Sequence, residues 1–205
     1  MICIKYMFFD MGTTLVDETR CYYHRIRDAI NGIDVTFEQF LDKLIFFQKQ
    51  NMRGDLEALN FFGLEKTPWH TEDECLYPDT KDVLEYLRDK GYKLGIIANQ
   101  SAGSADRLQK WGILPFFDVI CASAEEGVAK PDSEIFLRAM QKAGCKPENA
   151  VMIGDRLDND IYPAKKLGMK TVWAKQGFCV YCTPESPEYE ADFTINTLSE
   201  LKSIF

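Results

Sequence analysis

Asp10 closes a short apolar run, Met7-Phe8-Phe9, and is followed by Met11-Gly12-Thr13-Thr14-Leu15. A carboxylate at the end of a buried strand can serve as a nucleophile, as a metal ligand, or as both. It can also do no more than end the strand. A second acidic group, Gly154-Asp155-Arg156-Leu157-Asp158-Asn159-Asp160, follows the apolar run Ala150 to Ile153. Lys130, in Ala129-Lys130-Pro131, is the one lysine expected to join them. Carboxylates gathered in one place repel and raise one another's pKa unless a cation sits among them. A hard cation with oxygen ligands, Mg²⁺ by preference, relieves that repulsion. Each acid also has a plain structural reading. Asp155 suits a helix cap, Asp158 a solvated first-turn acid, and Asp160 the positive end of a helix dipole. For Asp158 the plain reading is preferred.

The elements that must bring these residues together follow from hydrophobic periodicity. Ile4 to Phe9 reads as a buried strand. From Glu18 to Pro78 the pattern is helical, over Cys21 to Ile30, Thr36 to Asn51 and Asp55 to Phe62. Thr36 and Gln39 have the spacing of a capping box. From Asp79 onward, strands alternate with helices. Strands are predicted at Lys93 to Ala98, Phe117 to Cys121, Ala150 to Ile153, Lys170 to Ala174 and Phe193 to Ile195. Helices are predicted at Thr80 to Lys90, Ala102 to Trp111, Asp132 to Ala143, Asn159 to Leu167 and Leu198 to Ile204. This alternation implies an α/β fold: a Rossmann-like parallel sheet with helices on both faces, plus a small α-helical region inserted after the first strand. Residues 1–17 and 79–205 form the core, and 18–78 the insert. Right-handed crossovers place every strand's carboxyl end on one edge, where ligands bind in such sheets.

The 205 residues leave room for one core domain and a small insert. A net charge of −8 disfavours nucleic acid as a partner, because a phosphate backbone would be repelled. No apolar run approaches the roughly 20 residues that span a bilayer, so no membrane association is expected. Met1 to Tyr6 lacks the features of a signal peptide. The seven scattered cysteines are therefore read as thiols in a reducing cytoplasm. Cys179-x-x-Cys182 has no second cysteine pair to complete a zinc site, and loop thiols are the default reading. His24 and His70 both fall in the insert and supply no catalytic pair. A monomer and a homodimer are both compatible with the sequence.

Four segments in order, each at a strand end, resemble the haloacid dehalogenase-like superfamily, most of whose members are Mg²⁺-dependent phosphatases. They are Asp10-x-x-x-Thr14-Leu15, Ile96-Ile97-Ala98-Asn99, Lys130-Pro131-Asp132 and Gly154-Asp155-x-x-x-x-Asp160. The resemblance covers Ile4 to Asp17 and Asp79 to the C-terminus, with the insert in the place of a helical cap. It implies that Asp10 attacks phosphorus and forms an aspartyl-phosphate. It also implies that Mg²⁺ is held by Asp10, the Gly12 carbonyl, Asp155 and, directly or through water, Asp160. Lys130 would bridge the nucleophile and the phosphoryl group. Thr14, Ala98, Asn99 and Lys130 would surround a small phosphorylated metabolite.

Two positions depart from the family pattern. Gly12 stands where family phosphatases carry an acid that protonates the leaving oxygen, and Ala98 replaces a hydroxylic residue. Three readings follow. The first is a hydrolase for substrates with good leaving groups, or one with its acid supplied elsewhere, by Asp17, Glu18 or another acid of the insert. The second is an impaired member that binds a phosphorylated ligand or a protein partner. The third is dehalogenase or phosphonatase chemistry, with the dehalogenase form opposed by the acids at 155 and 160. On the first reading, Gly12→Asp is expected to raise alkyl-phosphate turnover.

Overall fold

The computed structural model describes residues 4–205. Met1 to Cys3, on which part of the N-terminal reading rests, lie outside the described residues. Strand β1, Tyr6–Phe9, is wholly buried. The chain then turns tightly, and the N–H groups of Leu15 and Val16 both donate to the Met11 carbonyl, at 2.9 and 3.0 Å. Thr13 takes a φ of 56° in this turn, a left-handed conformation that costs a β-branched residue roughly 1–2 kcal/mol. Strand β2, Val16–Asp17, follows and pairs antiparallel with β3, Cys75–Leu76. This small two-stranded ribbon, at both crossings between sheet and insert, is too short to register as periodicity in the sequence.

Helices α1 (Thr19–Ile30), α2 (Phe37–Gln48) and α3 (Gly54–Phe62) make up the insert. They close around Ile26, Phe40, Leu44, Ala58 and Leu59, a core separate from that of the sheet. The capping box starts α2, with Thr36 and Gln39 exchanging bonds of 3.2 and 2.8 Å. Helix α2 ends at Gln48 rather than at the predicted Asn51. Asn51 turns left-handed, at φ 58°, and its side chain is held outside the helix by Thr183.

The remaining elements are α4 (Thr80–Asp89), β4 (Lys93–Ala98), α5 (Ser104–Lys110), β5 (Val119–Ala122), α6 (Ser123–Glu126), α7 (Ser133–Ala143), β6 (Ala150–Gly154), α8 (Tyr162–Lys166), β7 (Lys170–Ala174), β8 (Phe193–Ile195) and α9 (Leu201–Ile204). Two depart most from expectation. The helix predicted from Asn159 begins as a π-helical turn, Leu157–Ile161, and α8 takes over with Pro163 in its first turn, where the missing N–H costs nothing. The short helix α6, between β5 and Lys130, was not predicted.

The sheet is parallel throughout, in the order β5-β4-β1-β6-β7-β8. Side chains of β1 alternate between its faces. Met7 and Phe9 pack with Leu84, Leu87 and Leu201 from α4 and α9. Tyr6 and Phe8 pack on the other face with Ile135 and Phe136 of α7. Burying a large apolar side chain stabilises by roughly 1.5–3 kcal/mol, so β1 is anchored on both sides. Its neighbours β4 and β6 run on past the Phe9 partners Ile96 and Ile153, to Ala98 and Gly154. Asp10, Asn99 and Asp155 therefore leave three adjacent strands at one edge.

Candidate active site

Asp10 follows β1 directly, and its N–H donates to the Ile153 carbonyl at 2.9 Å. Its side chain is 14% exposed at the floor of a cavity of about 700 Å³. Lys130 reaches the same point from beyond α6. Its Nζ lies 2.8 Å from Asp10 Oδ1 and 2.6 Å from Asp160 Oδ1, and it donates to the Ile97 carbonyl at 2.9 Å. Burial alone would lower Lys130, but Asp10 and Asp160 more than offset it and hold the ammonium above its ordinary pKa.

Asp155 follows β6 and is almost fully buried. Its Oδ1 accepts from Thr14 Oγ1 at 3.3 Å, and its Oδ2 from Cys179 Sγ at 3.1 Å. Burial, with Asp10 and Asp160 nearby, pushes Asp155 well above the usual carboxylate range. Asp160 is pushed up to about 6 by burial, against the pull of Lys130. It lies so close to the strand end that a Cβ on Gly154 would meet its carboxyl at 2.4 Å, which makes Gly154 a steric requirement. The π-helical turn brings Asp160 back, and its Oδ2 accepts the Arg156 N–H at 2.9 Å.

Carboxylate oxygens of Asp10, Asp155 and Asp160 all lie within 4.8 Å of one another. With all three acids ionised, one lysine would leave an excess of negative charge beside two buried carboxylates. An all-oxygen donor set of this kind fits a hard divalent cation. Asp160 accepts from the Lys130 ammonium and the Arg156 N–H, Asp155 from the Thr14 hydroxyl and the Cys179 thiol, and Asp10 pairs with Lys130 through Oδ1.

The other candidates fall differently. Thr14 is fully buried and does not line the cavity. Its hydroxyl donates to Asp155. Ala98 is likewise fully buried. Asn99 lines the cavity, but its side-chain amide is engaged with the Lys130 backbone. Asp158 pairs with Arg156 at 2.6 Å and remains about half exposed.

Glu18 stands over Gly12. A Cβ on Gly12 would lie 2.5 Å from Glu18 Oε1, so this carboxyl fills the space a side chain at position 12 would take. Thr13 Oγ1 donates to Glu18 Oε2 at 3.0 Å. Burial is the main reason that Glu18 is pushed up to about 8; the Thr13 hydrogen bond opposes this and Asp10 adds to it. The sequence named Glu18 among several acids without a ground for choosing it.

The roof of the cavity comes from the insert and includes residues the sequence reading passed over. Arg25 pairs with Asp55 at 2.7 Å, both buried, and its guanidinium lies 4.5 Å from the centre of the Trp69 ring. Their functional signal is weak because Arg and Trp on an amphipathic insert read first as packing residues.

Fold and site together define an α/β protein with an acid-lined strand edge under a helical roof. Residues 7–174 match the family model described as haloacid dehalogenase-like hydrolase. The chain is 34% identical to a glyceraldehyde 3-phosphate phosphatase from Methanocaldococcus jannaschii, over 98% of this chain and 96% of that one. It is 33% identical to the protein of that name from Pyrococcus furiosus, over 98% and 92%. A solved phosphatase structure from Thermococcus onnurineus superposes with a TM-score of 0.66 at 29% identity, covering 98% of this chain and 97% of that one. The chain belongs to the haloacid dehalogenase-like hydrolases. Among the described residues, no helix is long and apolar enough to cross a membrane.

Proposed function

We propose that the protein is a Mg²⁺-dependent phosphatase that acts on a small phosphorylated metabolite through an aspartyl-phosphate at Asp10. The observation that carries this reading is the placement of Lys130 Nζ between Asp10 and Asp160, beside the buried carboxylate of Asp155. Asp10 and Asp155, with the Gly12 carbonyl, are the proposed holders of the ion, and Asp160 acts on it at one remove. When bound, Mg²⁺ supplies charge neutralisation for the phosphoryl oxygens.

Asp10 attacks phosphorus while the bond to the leaving oxygen breaks. Lys130 fixes the attacking carboxylate and offsets charge on the transferred group. Glu18, in the space above Gly12, gives its proton to the leaving oxygen. As a carboxylate it then takes a proton from the water that hydrolyses the aspartyl-phosphate, which restores Asp10 and frees phosphate. A positioned acid is worth roughly 10²–10⁴-fold in rate. With Glu18 in that role, the enzyme is not confined to substrates with good leaving groups. The names of the archaeal relatives support a triose phosphate as the first substrate to try.

The test is hydrolysis of an aryl phosphate and of glyceraldehyde 3-phosphate, with and without Mg²⁺, by the protein and by Asp10→Asn. The expected result is metal-dependent phosphate release that Asp10→Asn abolishes. Release that survives the substitution would remove Asp10 as nucleophile, and no release from any phosphate ester would leave a binding protein.

A further inference from the structure

Both histidines of the chain meet on the outer side of the insert, away from the cavity. His24 and Asp28 are one turn apart on α1, and His70 comes from the segment that returns the chain to the sheet. Asp28 Oδ2 lies 2.7 Å from His70 Nε2, and Asp28 Oδ1 lies 3.8 Å from His24 Nε2. The far side of each ring is also occupied. His24 Nδ1 lies 2.8 Å from Asp73 Oδ2, and His70 Nδ1 lies 3.0 Å from Glu72 Oε1. The two rings stack at 3.5 Å, within 6° of parallel.

This arrangement leaves a charge problem. A neutral imidazole has one N–H. If each Nδ1–H donates to its outer carboxylate, both Nε2 lone pairs face the acceptor-only oxygens of Asp28. At 2.7 Å from Asp28, His70 Nε2 then opposes acceptor to acceptor, and either a proton on that ring or a cation between the groups removes the conflict. In the unloaded site a proton on His70 serves Asp28 and Glu72, but protons on both rings would stack two positive charges 3.5 Å apart. One shared dication serves both rings and Asp28 at once. Metal-bound histidines are oriented in this way, with the distal N–H held by a carboxylate. The nitrogen atoms also select the ion, because imidazole suits Zn²⁺ and its transition-metal neighbours whereas Mg²⁺ prefers oxygen.

We infer that His24 Nε2, His70 Nε2 and the Asp28 carboxylate form a binding site for a Zn²⁺-class ion, with Asp73 and Glu72 orienting the rings. The three ligand atoms already lie within 4.8 Å of one another, and the stacked rings must tilt out of parallel to turn both lone pairs to a common point. Partial exposure leaves the fourth position to water. The ion would clasp the return segment onto α1 and so brace the roof of the cavity from outside.

The test is Zn²⁺ titration of the chelator-treated full chain against a chromophoric competitor in excess Mg²⁺, with histidine nitrogen NMR signals followed in parallel. One ion per chain is expected to bind, with both Nε2 signals displaced. His24→Gln and His70→Gln are expected to abolish uptake. Asp73→Asn, which keeps every ligand, should weaken it about 10–100-fold. Absence of uptake, uptake unchanged in both glutamine variants, or uptake lost only in Asp155→Asn would overturn the site.

Discussion

The side-chain amide of Asn99 brackets the backbone of Lys130. Its Nδ2–H donates to the Lys130 carbonyl at 2.8 Å, and the Lys130 N–H donates to Oδ1 at 2.7 Å. Lys130 arrives from a loop, so its Nζ can be no better placed than its own main chain. Asn99→Ala removes both bonds and leaves the Lys130 side chain intact. The expected result is a fall in kcat of at least about tenfold, the equivalent of 1.4 kcal/mol, with KM much less affected. Steady-state kinetics on an aryl phosphate would check it, with a melting curve to show that the exposed position leaves the fold in place.

Lys130→Met takes the cation from between two acids. Removing one partner of a buried pair typically costs about 3–5 kcal/mol, because the other charge is left uncompensated. The variant should melt well below the parent in chelator, and added Mg²⁺ should recover part of the difference while activity stays lost. An unchanged melting temperature in chelator would mean that Lys130 and Asp160 are not ionised partners.

Glu18 and Gly12 are tied by space, and this alters what a substitution at position 12 should do. Glu18→Gln should depress hydrolysis of an alkyl phosphate by roughly 10²–10⁴-fold and spare an aryl phosphate with a good leaving group. Gly12→Asp alone is not expected to help, because the new side chain would displace the Glu18 carboxyl from the space they share. Combined with Glu18→Ala it should recover alkyl-phosphate turnover. A leaving-group series across the four proteins distinguishes these outcomes.

Asp192 fastens the edge strand β8 to β7. Its Oδ2 accepts from Thr171 N–H and Oγ1 at 2.9 and 3.0 Å, and its Oδ1 pairs with Lys170 at 2.6 Å. Burial raises its carboxyl, but Lys170 and Thr171 prevail and hold it below the usual range. A depressed folded-state pKa contributes stability that is present above the ordinary carboxylate value and is lost as pH falls through the lower one. Asp192→Asn should therefore cost about 1 kcal/mol at neutral pH, a figure kept low because solvent reaches the group. The gap between parent and variant should close in acid. Denaturant midpoints at pH 7 and pH 3 check both halves.

The sheet was legible because its strands are short apolar runs between amphipathic helices, and each helix carries its own stop signal. Legibility failed where a feature has no period. The two-residue ribbon of Val16–Asp17 with Cys75–Leu76 is shorter than any repeat, and α6 is a single turn. Asp10, Asp155, Asp160 and Lys130 were readable as a group because parallel topology forces strand ends together. The direction of a side chain at such an end is another matter. Thr14 and Asn99 were placed at the site but turn their polar atoms to Asp155 and Lys130. Glu18 could not be singled out, since its proximity to Gly12 depends on how the turn after β1 folds back. Cys179 and Cys182 looked like idle loop thiols. One donates to Asp155, and both accept from Gln48 of α2, at 3.6 and 3.2 Å, a contact set by the path of the loop after β7.

That loop moors the helical roof a third time. Two chain crossings at the ribbon would by themselves act as a door's pair of pins. Asn51 trades two bonds with the backbone of Thr183, and Gln48 grips the sulfurs next to it, well off the line of those pins. These contacts tie the roof to the core at a point separate from the ribbon.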